Sequence, residues 1–150
     1  MANTYTNLQF HLVFSTKQRV NWIYPALQPR LWNYMAGICR DLNLIPMAIN
    51  GVNDHAHLLV GFRPTHSVAE MTQRIKSASS HWLHETEEGF ADFAWQTGYG
   101  AFTVSSSQVA AVKKYIQHQH EHHHKQSFAD ELRALMIKHG IEFDEKYLLD

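Results

Sequence analysis

Residues 44–62, LIPMAINGVNDHAHLLVGF, consist of two apolar segments joined by a short polar one. The polar part, NGVND, carries the Asn, Gly and Asp residues that favour turns. The segments on either side have the length and composition of β-strands. Pro46 has no amide hydrogen to donate, so the first of these strands is predicted at a sheet edge or at a bulge. Together these features predict a β-hairpin, from which the rest of the fold can be placed.

One strand and one helix are predicted before the hairpin, and a second helix after it. Residues 5–14 alternate between apolar and polar side chains, which is the period of a strand. Residues 30–42, RLWNYMAGICRDL, place apolar side chains at helical spacing. After the hairpin, Ser67 and Glu70 form a capping-box pattern, and the helix that they begin is predicted to run to about His84.

The C-terminal part of the chain is predicted to add one strand and two helices. The aromatic segment 90–105, FADFAWQTGYGAFTVS, is interpreted as the last strand. A helix is predicted from about Ser107 to His123. A short helix is predicted from Ser127 to Gly140, because glycine commonly follows the last turn of a helix.

The element order is β-α-β-β-α-β-α, which is the ferredoxin-like split βαβ pattern with an added C-terminal helix. The fold class is therefore predicted to be α+β, with an antiparallel sheet. A length of 150 residues suits one domain over 1–150. Within it we expect a core at about 5–125 and a short helical tail at 126–150.

The composition sets limits on the class of protein. The chain is 45% hydrophobic and 18% charged, so it can bury a core. A net charge of −1 neither requires nor excludes a nucleic-acid partner. Cys39 is the one cysteine, which rules out an intramolecular disulfide and fits a reducing compartment. The N-terminus lacks a signal-peptide pattern, and no apolar run approaches a membrane span, so we predict a cytoplasmic protein with no membrane partner.

His55 and His57 are candidate metal ligands on the second strand of the hairpin. Side chains at i and i+2 of a strand point the same way, so the two imidazoles can share one cation. The alternative is two half-buried histidines that bond to backbone or water. A third ligand has to come from elsewhere in the chain.

Tyr115 and Gln119 offer a second pair of functional groups. They are four residues apart in the helix predicted after Ser107, so they lie on one face of it. The alternative is a core tyrosine and a solvated glutamine on an amphipathic helix. His11, on the polar side of the first strand, either faces the same site or satisfies a neighbour.

A His-x-His strand followed by a Tyr-x-x-x-Gln helix resembles the HUH endonucleases that use a single catalytic tyrosine. More closely, the chain resembles the small single-tyrosine transposases of bacterial insertion sequences, the IS200-like family and its relatives associated with repetitive palindromes. The resemblance covers most of the chain. It is carried by five segments in order: HLVFSTKQR, NDHAHLLVGF, IKSASSHWL, WQTGYGAFTVS and YIQHQHEHHHKQSFADEL.

The resemblance implies a site and an activity. His55, His57 and Gln119 would bind a divalent ion, Mg²⁺ or Mn²⁺, and Tyr115, on the added C-terminal helix, would be the catalytic nucleophile. The protein would be a metal-dependent transposase that cleaves and rejoins single-stranded DNA through a 5′-phosphotyrosine intermediate. His118 or His122 could replace or supplement Gln119, because both lie close to it in the sequence.

The resemblance also implies partners. The substrate would be single-stranded DNA with a subterminal hairpin, bound by a homodimer whose active sites can be shared between subunits. A bacterial or archaeal, nucleoid-associated location is expected. Trp95, Tyr99 and Phe102 could stack on bases, or be core or dimer contacts. The DNA-binding candidates are polar and basic residues, half of which could be ordinary surface groups: Lys17, Arg19, Arg74, Lys76, Ser79, Ser80, Lys113 and Lys114.

Three other functions remain open from the sequence. A domesticated HUH nuclease would use the same chemistry on chromosomal palindromic repeats. A catalytically silent ferredoxin-like module would bind nucleic acid without cutting it. A simple metal-binding protein would use the histidines alone.

Overall fold

The structure is a computed structural model that describes residues 3–123 and 125–148. The ends of the predicted domain, 1–2 and 149–150, lie outside the described residues. One sheet has the strand order β2-β3-β1-β4, with every neighbouring pair antiparallel. This is the predicted ferredoxin-like arrangement. The strands are β1 (Leu8–Ser15), β2 (Ile45–Val52), β3 (His55–Phe62) and β4 (Gly100–Thr103).

The hairpin at 44–62 forms as predicted. β2 is an edge strand, and its register against β3 shifts between Pro46 and Ala48, as expected for a proline in a sheet. At the turn, a Cβ on Gly51 would lie 2.2 Å from the carbonyl oxygen of His55. Glycine is therefore needed at this position for the backbone to approach so closely.

Five α-helices surround the sheet within the described residues. Two of them begin at serine caps, where the hydroxyl of Ser67 accepts from the amide of Glu70 and that of Ser127 from the amide of Asp130. The helices are α1 (Gln28–Asp41), α2 (Val68–Thr86), α3 (Val109–Gln117), α4 (Gln119–His122) and α5 (Phe128–Lys138). None of the described helices is long and apolar enough to cross a membrane.

Alternation along β1 divides the sheet into two faces. Phe10, Leu12 and Phe14 are buried in the main core together with apolar side chains of α1 and α2. His11 and Val13 point to the opposite face, as the period of a strand requires. That face is covered by α3, α4 and α5.

Two smaller apolar clusters hold the C-terminal helices on this second face. Ile116 of α3 packs on Leu59 of β3. Phe128 and Leu132 of α5 pack with Val13 of β1. The described part of the segment predicted as a tail therefore packs on this face of the sheet, where Val13 of β1 and Phe102 of β4 are apolar.

The predicted strand 90–105 is mostly irregular. Within it, β4 pairs along the sheet, and Trp95 forms one isolated bridge with Thr16. Phe90, Phe93 and Trp95 lie in the main core without continuing the strand ladder. The Lys76 ammonium donates to the carbonyl oxygens of residues 96, 97 and 98, at 2.6, 3.2 and 2.9 Å. Aromatic burial and this lysine hold the segment, so the strand prediction was too long.

The helix predicted from Ser107 to His123 is broken. Residues 106–108 form a 3₁₀ turn, and His118, with φ −104° and ψ 28°, separates α3 from α4. The side chain of Asn50 donates to the carbonyl oxygens of Ile116 and Gln117, at 3.0 and 3.1 Å. These bonds satisfy carbonyl groups that the end of a helix leaves without partners.

Candidate metal and tyrosine site

His55 and His57 are both fully buried and lie on the same face of β3. Each has one ring nitrogen held by a neighbour. Nδ1 of His55 is 2.7 Å from Oδ1 of Asp54, and Nδ1 of His57 is 2.7 Å from Nε2 of His11. Such contacts fix the orientation of an imidazole and leave its other nitrogen for a metal ion. His11 therefore faces the site.

The Nε2 atoms of both histidines meet a carboxylate from the C-terminal helix. Oε1 of Glu131, on α5, is 2.8 Å from Nε2 of His57 and 3.3 Å from Nε2 of His55. Nε2 of His123 lies 3.0 Å from the same oxygen. The ligand atoms of these four residues all lie within 4.8 Å of one another, close enough to surround one ion.

Gln119 also reaches this cluster. It is fully buried, and its Oε1 is 3.4 Å from Nε2 of His55 and 3.1 Å from Nε2 of His123. The histidine and glutamine side chains predicted as ligands are therefore brought together. His118 and His122 are not part of this group among the described residues: His118 contacts the carbonyl oxygen of Lys114, and the ring of His122 stacks on Tyr115.

Tyr115 lies beside the cluster in the same chain. Its hydroxyl group donates to Oε2 of Glu131. Its ring centroid is 6.0 Å from that of His57 and 6.3 Å from that of His11. A tyrosine hydroxyl, imidazole nitrogens and a carboxylate thus converge within one region of the sheet face.

Burial and nearby charges shift the pKa values of His11, His55 and His57. Burial lowers the pKa of His57, and burial together with His57 holds the pKa of His11 well below its ordinary value. Burial also opposes a charge on His55, but hydrogen bonds with Asp54 and Glu131 outweigh it and raise its pKa. His57 is therefore neutral at neutral pH, which is the form that binds metal.

The pKa values of the Glu131 carboxyl group and the Tyr115 hydroxyl group shift in opposite directions. Burial favours the neutral form of Glu131, yet contacts with His123, His55 and His57 outweigh it and hold the carboxyl pKa far below its usual range. Burial and the charge of Glu131 raise the pKa of the Tyr115 hydroxyl well above its ordinary value. The phenol therefore holds its proton more firmly than a free tyrosine does.

Comparison with known proteins defines the family. The family model described as "Transposase IS200 like" matches residues 4–119, which is more than half of the chain. The chain belongs to the IS200-like transposase family. It is therefore an enzyme of the transposase class, as the resemblance of the five sequence segments predicted.

Individual relatives of this transposase agree with that assignment. The ISDra2 transposase TnpA of Deinococcus radiodurans is 24% identical over 119 residues, covering 76% of this chain and 85% of the relative. The transposase for insertion sequence element IS200 of Salmonella typhimurium is 28% identical over 129 residues, covering 81% of this chain and 82% of the relative.

Solved structures show the same fold. A crystal structure from Deinococcus radiodurans, described as that of a transposase, superposes with a TM-score of 0.63 at 23% identity, covering 79% of this chain and 95% of the other. A REP-associated tyrosine transposase bound to a REP hairpin superposes with a TM-score of 0.61 at 13% identity, covering 82% and 73%. The fold of this transposase is therefore that of known tyrosine transposases.

The predicted DNA-binding residues fall into separate regions. Arg19 lines a cavity of about 510 Å³ that also contains Asp54 and His123, so it lies at the edge of the cluster. Lys113 and Lys114 are exposed on α3 near Tyr115. Lys17 is exposed next to Arg19. These four cations lie on elements that border the site.

The candidates on α2 lie across the sheet from the site. Lys76 is partly buried, and burial lowers the pKa of its ammonium group to about 8. Ser79 is fully buried and accepts from Nε1 of Trp95 at 3.0 Å. Arg74 and Ser80 are on the same helix. Lys76 and Ser79 have structural contacts, and their part in DNA binding stays a prediction.

Two residues of the cluster were not identified from the sequence. His123 follows Gln119 by four residues, the spacing that already paired Tyr115 with Gln119. Glu131 lies between Phe128 and Leu132, on the apolar side of α5. A carboxylate on an apolar helix face was the available signal, because such a group is rarely buried without a partner.

Proposed function

We propose that this transposase cleaves and rejoins single-stranded DNA with Tyr115 as nucleophile and a divalent metal ion at His55 and His57. The observation that carries the proposal is the convergence, in one chain, of Tyr115 with the buried cluster of possible ligands. Membership of the IS200-like family supports it. The site is built from the residue types that a metal-assisted transesterification needs.

The donor atoms fit a divalent ion with mixed nitrogen and oxygen ligands. His55 and His57 offer imidazole nitrogens, and Gln119 offers an amide oxygen. Mg²⁺ prefers oxygen ligands, whereas Mn²⁺ accepts imidazole more readily, so Mn²⁺ should serve at least as well. A bound ion would polarise the scissile phosphate and offset the charge that develops on it.

The chain's own contribution is the nucleophile and its environment. The Tyr115 oxygen forms a bond to phosphorus, and the bond from phosphorus to the 3′ oxygen breaks. The phenolic proton is released and the departing 3′ oxygen gains a proton, which leaves a 5′-phosphotyrosine and a free 3′-OH. Because phenolate is a fair leaving group, a 3′-OH can reverse the step on another such linkage and join the strands.

We infer that the DNA partner is single-stranded with a subterminal hairpin. The related REP-associated tyrosine transposase is bound to a REP hairpin. In this chain, Arg19 lines a cavity with His123, and Lys17, Lys113 and Lys114 are exposed cations near Arg19 or Tyr115 in the sequence, so all four are suited to phosphate contacts. A homodimer is also proposed. Tyr115 reaches the cluster of its own chain in this structure, which supports a site assembled in cis.

A covalent adduct on a denaturing gel tests the proposal. The protein is incubated with single-stranded hairpin DNA and MnCl₂ or MgCl₂, and we expect a protein–DNA adduct that EDTA prevents. Tyr115→Phe should abolish the adduct while leaving DNA binding intact in a gel shift. An adduct that persists in this variant would contradict the assignment of Tyr115 as the nucleophile.

A domesticated nuclease is the second candidate, because one structural neighbour is a REP-associated transposase. The chemistry would be the same, and only the DNA would differ. Matched hairpins at both ends of a mobile segment around the gene would favour an insertion sequence. Scattered chromosomal palindromes that are cleaved in vitro would favour the domesticated enzyme.

A further inference from the structure

Glu131 occupies an unusual position for a carboxylate. It is 1% exposed, in the first turn of α5, and it extends into the histidine cluster. Within the described part of the chain, three other carboxylates pair with an arginine, and these are Glu87, Asp130 and Glu145. Two more pair with a histidine, Asp54 with His55 and Glu85 with His81, but both of these carboxylates are more exposed than Glu131. Among the described residues, the ion-pair partners of Glu131 are imidazoles. A buried charge normally needs a full counter-charge.

A single oxygen, Oε1 of Glu131, is shared by three imidazole rings. Three imidazole nitrogens lie 2.8, 3.0 and 3.3 Å from this one oxygen. Each could be a donor only if all three rings carried a proton on Nε2. Three imidazoles packed around one atom are better suited to sharing a cation, with a lone pair from each nitrogen.

The two ring nitrogens of His55 are both directed at groups that accept hydrogen bonds. Its Nδ1 faces the Asp54 carboxylate at 2.7 Å, and a carboxylate can only accept, so Nδ1 carries the hydrogen. In the neutral ring, Nε2 is then a lone pair. It faces Oε1 of Glu131 at 3.3 Å and Oε1 of Gln119 at 3.4 Å, both of which are acceptors. This point therefore needs a positive charge, which either a proton on Nε2 of His55 or a bound cation supplies.

The second oxygen of Glu131 is used differently, since Oε2 accepts the hydrogen bond of the Tyr115 hydroxyl. One carboxylate therefore contacts the ligand cluster on one side and the nucleophile on the other. This arrangement fixes the distance between the place of an ion and the attacking oxygen. Positioning of this kind is a large part of rate enhancement in transesterification.

We propose that Glu131 is a ligand of the metal ion through Oε1 and positions Tyr115 through Oε2, so that α5 is part of the catalytic centre. The inference rests on the proposed function, since it concerns the same ion and the same nucleophile. It places α5, which lies in the segment 126–150 predicted from the sequence as a short helical tail, in the catalytic centre. With Glu131 the ligand set has both imidazole nitrogens and a carboxylate oxygen, and the imidazoles make this set better suited to Mn²⁺ than to Mg²⁺, which prefers oxygen ligands.

The test measures metal binding without DNA, so it is separate from the adduct assay. Free Mn²⁺ is titrated into chelator-treated protein and followed by its electron paramagnetic resonance signal. Glu131→Gln keeps the size of the side chain and removes its charge, and we expect Mn²⁺ binding to weaken about tenfold or more. Asp130→Asn, one residue earlier in the same helical turn and exposed, is the matched control and should bind Mn²⁺ like the wild type.

The outcomes separate the two proposals. Mn²⁺ binding in Glu131→Gln that equals or exceeds wild-type binding would overturn the ligand assignment, because Glu131 would then only compete with a cation. Wild-type protein that binds no Mn²⁺ would overturn the metal site itself. If Glu131→Gln does not fold by circular dichroism, Glu131→Asp withdraws the oxygens by one methylene with the charge kept, and it should also lose about tenfold in affinity.

The contact with Tyr115 has its own readout. At Mn²⁺ concentrations that saturate each protein, single-turnover adduct formation in Glu131→Gln should stay at least about tenfold slower than in the wild type. Asp130→Asn should react at the wild-type rate. Tyr115→Phe should keep its Mn²⁺ affinity, because it leaves Oε1 in place. Full recovery of the Glu131→Gln rate at saturating Mn²⁺ would contradict the positioning role.

Discussion

His57 shows how much of the site is decided around a single side chain. Its Nδ1 is held by His11 and its Nε2 meets Glu131, at 2.7 and 2.8 Å. Both neighbours come from other elements of the fold. The sequence predicts that His55 and His57 point the same way, because that follows from the period of a strand. It cannot predict which side chains of β1 and α5 complete them.

The third ligand is tested at the same scale. Gln119→Ala should weaken Mn²⁺ binding and reduce adduct formation by about tenfold or more, because the amide oxygen lies within the cluster. His118→Ala is the matched control, since this side chain contacts the Lys114 carbonyl oxygen outside the cluster. Equal losses in both variants, measured by Mn²⁺ titration and gel assay, would argue against Gln119 as a ligand.

At the scale of elements, most helices and strands are predictable from the sequence. The exceptions are the strand predicted at 90–105 and the helix predicted at 107–123, which is broken at His118. The hairpin, α1 and α2 follow periodicity and capping, and the Ser67 cap forms as expected. The predicted strand 90–105 is wrong over most of its length, since its aromatic side chains are buried in an irregular segment. Its conformation depends on contacts with Lys76 of α2 and with the distant end of β1, where the amide of Gln96 donates to the carbonyl oxygen of Ser15 at 2.9 Å.

Lys76 provides a test of that segment. Its ammonium group donates to three carbonyl oxygens of residues 96–98, which would otherwise lack these bonds. Lys76→Met should lower the free energy of unfolding by about 1–3 kcal/mol, measured by urea denaturation. Lys113→Met, an exposed lysine of α3, should change it by less than about 0.5 kcal/mol. Unchanged stability in Lys76→Met would show that the lysine does not hold the segment.

The whole molecule should lose stability in acid when metal is absent. The pKa values of His11 and His57 are lowered in the folded state, so the unfolded chain binds more protons as the pH falls through about 6.5. Glu131, whose pKa is also lowered, adds a loss as the pH falls below about 4.5. His55 opposes the trend, because its raised pKa adds stability that is fully present below about 6.5.

Urea unfolding in EDTA at two pH values measures this balance. We expect a lower free energy of unfolding at pH 5 than at pH 7.5, since two histidines destabilise the acid form and one stabilises it. His11→Ala should reduce the difference between the two values. Equal stability at both pH values in the wild type would contradict the sign derived from these groups.

The sequence by itself determined the strand and helix order, the hairpin, the shared direction of His55 and His57, and the spacing of Tyr115 and Gln119. These are local properties, set by side-chain period, turn residues and caps. Only the tertiary structure decided that His11, His123 and Glu131 join them. Their approach depends on how β1 pairs with β3 and how α5 packs its apolar side against the sheet. Such contacts join residues far apart in the chain, and no local pattern specifies their distance.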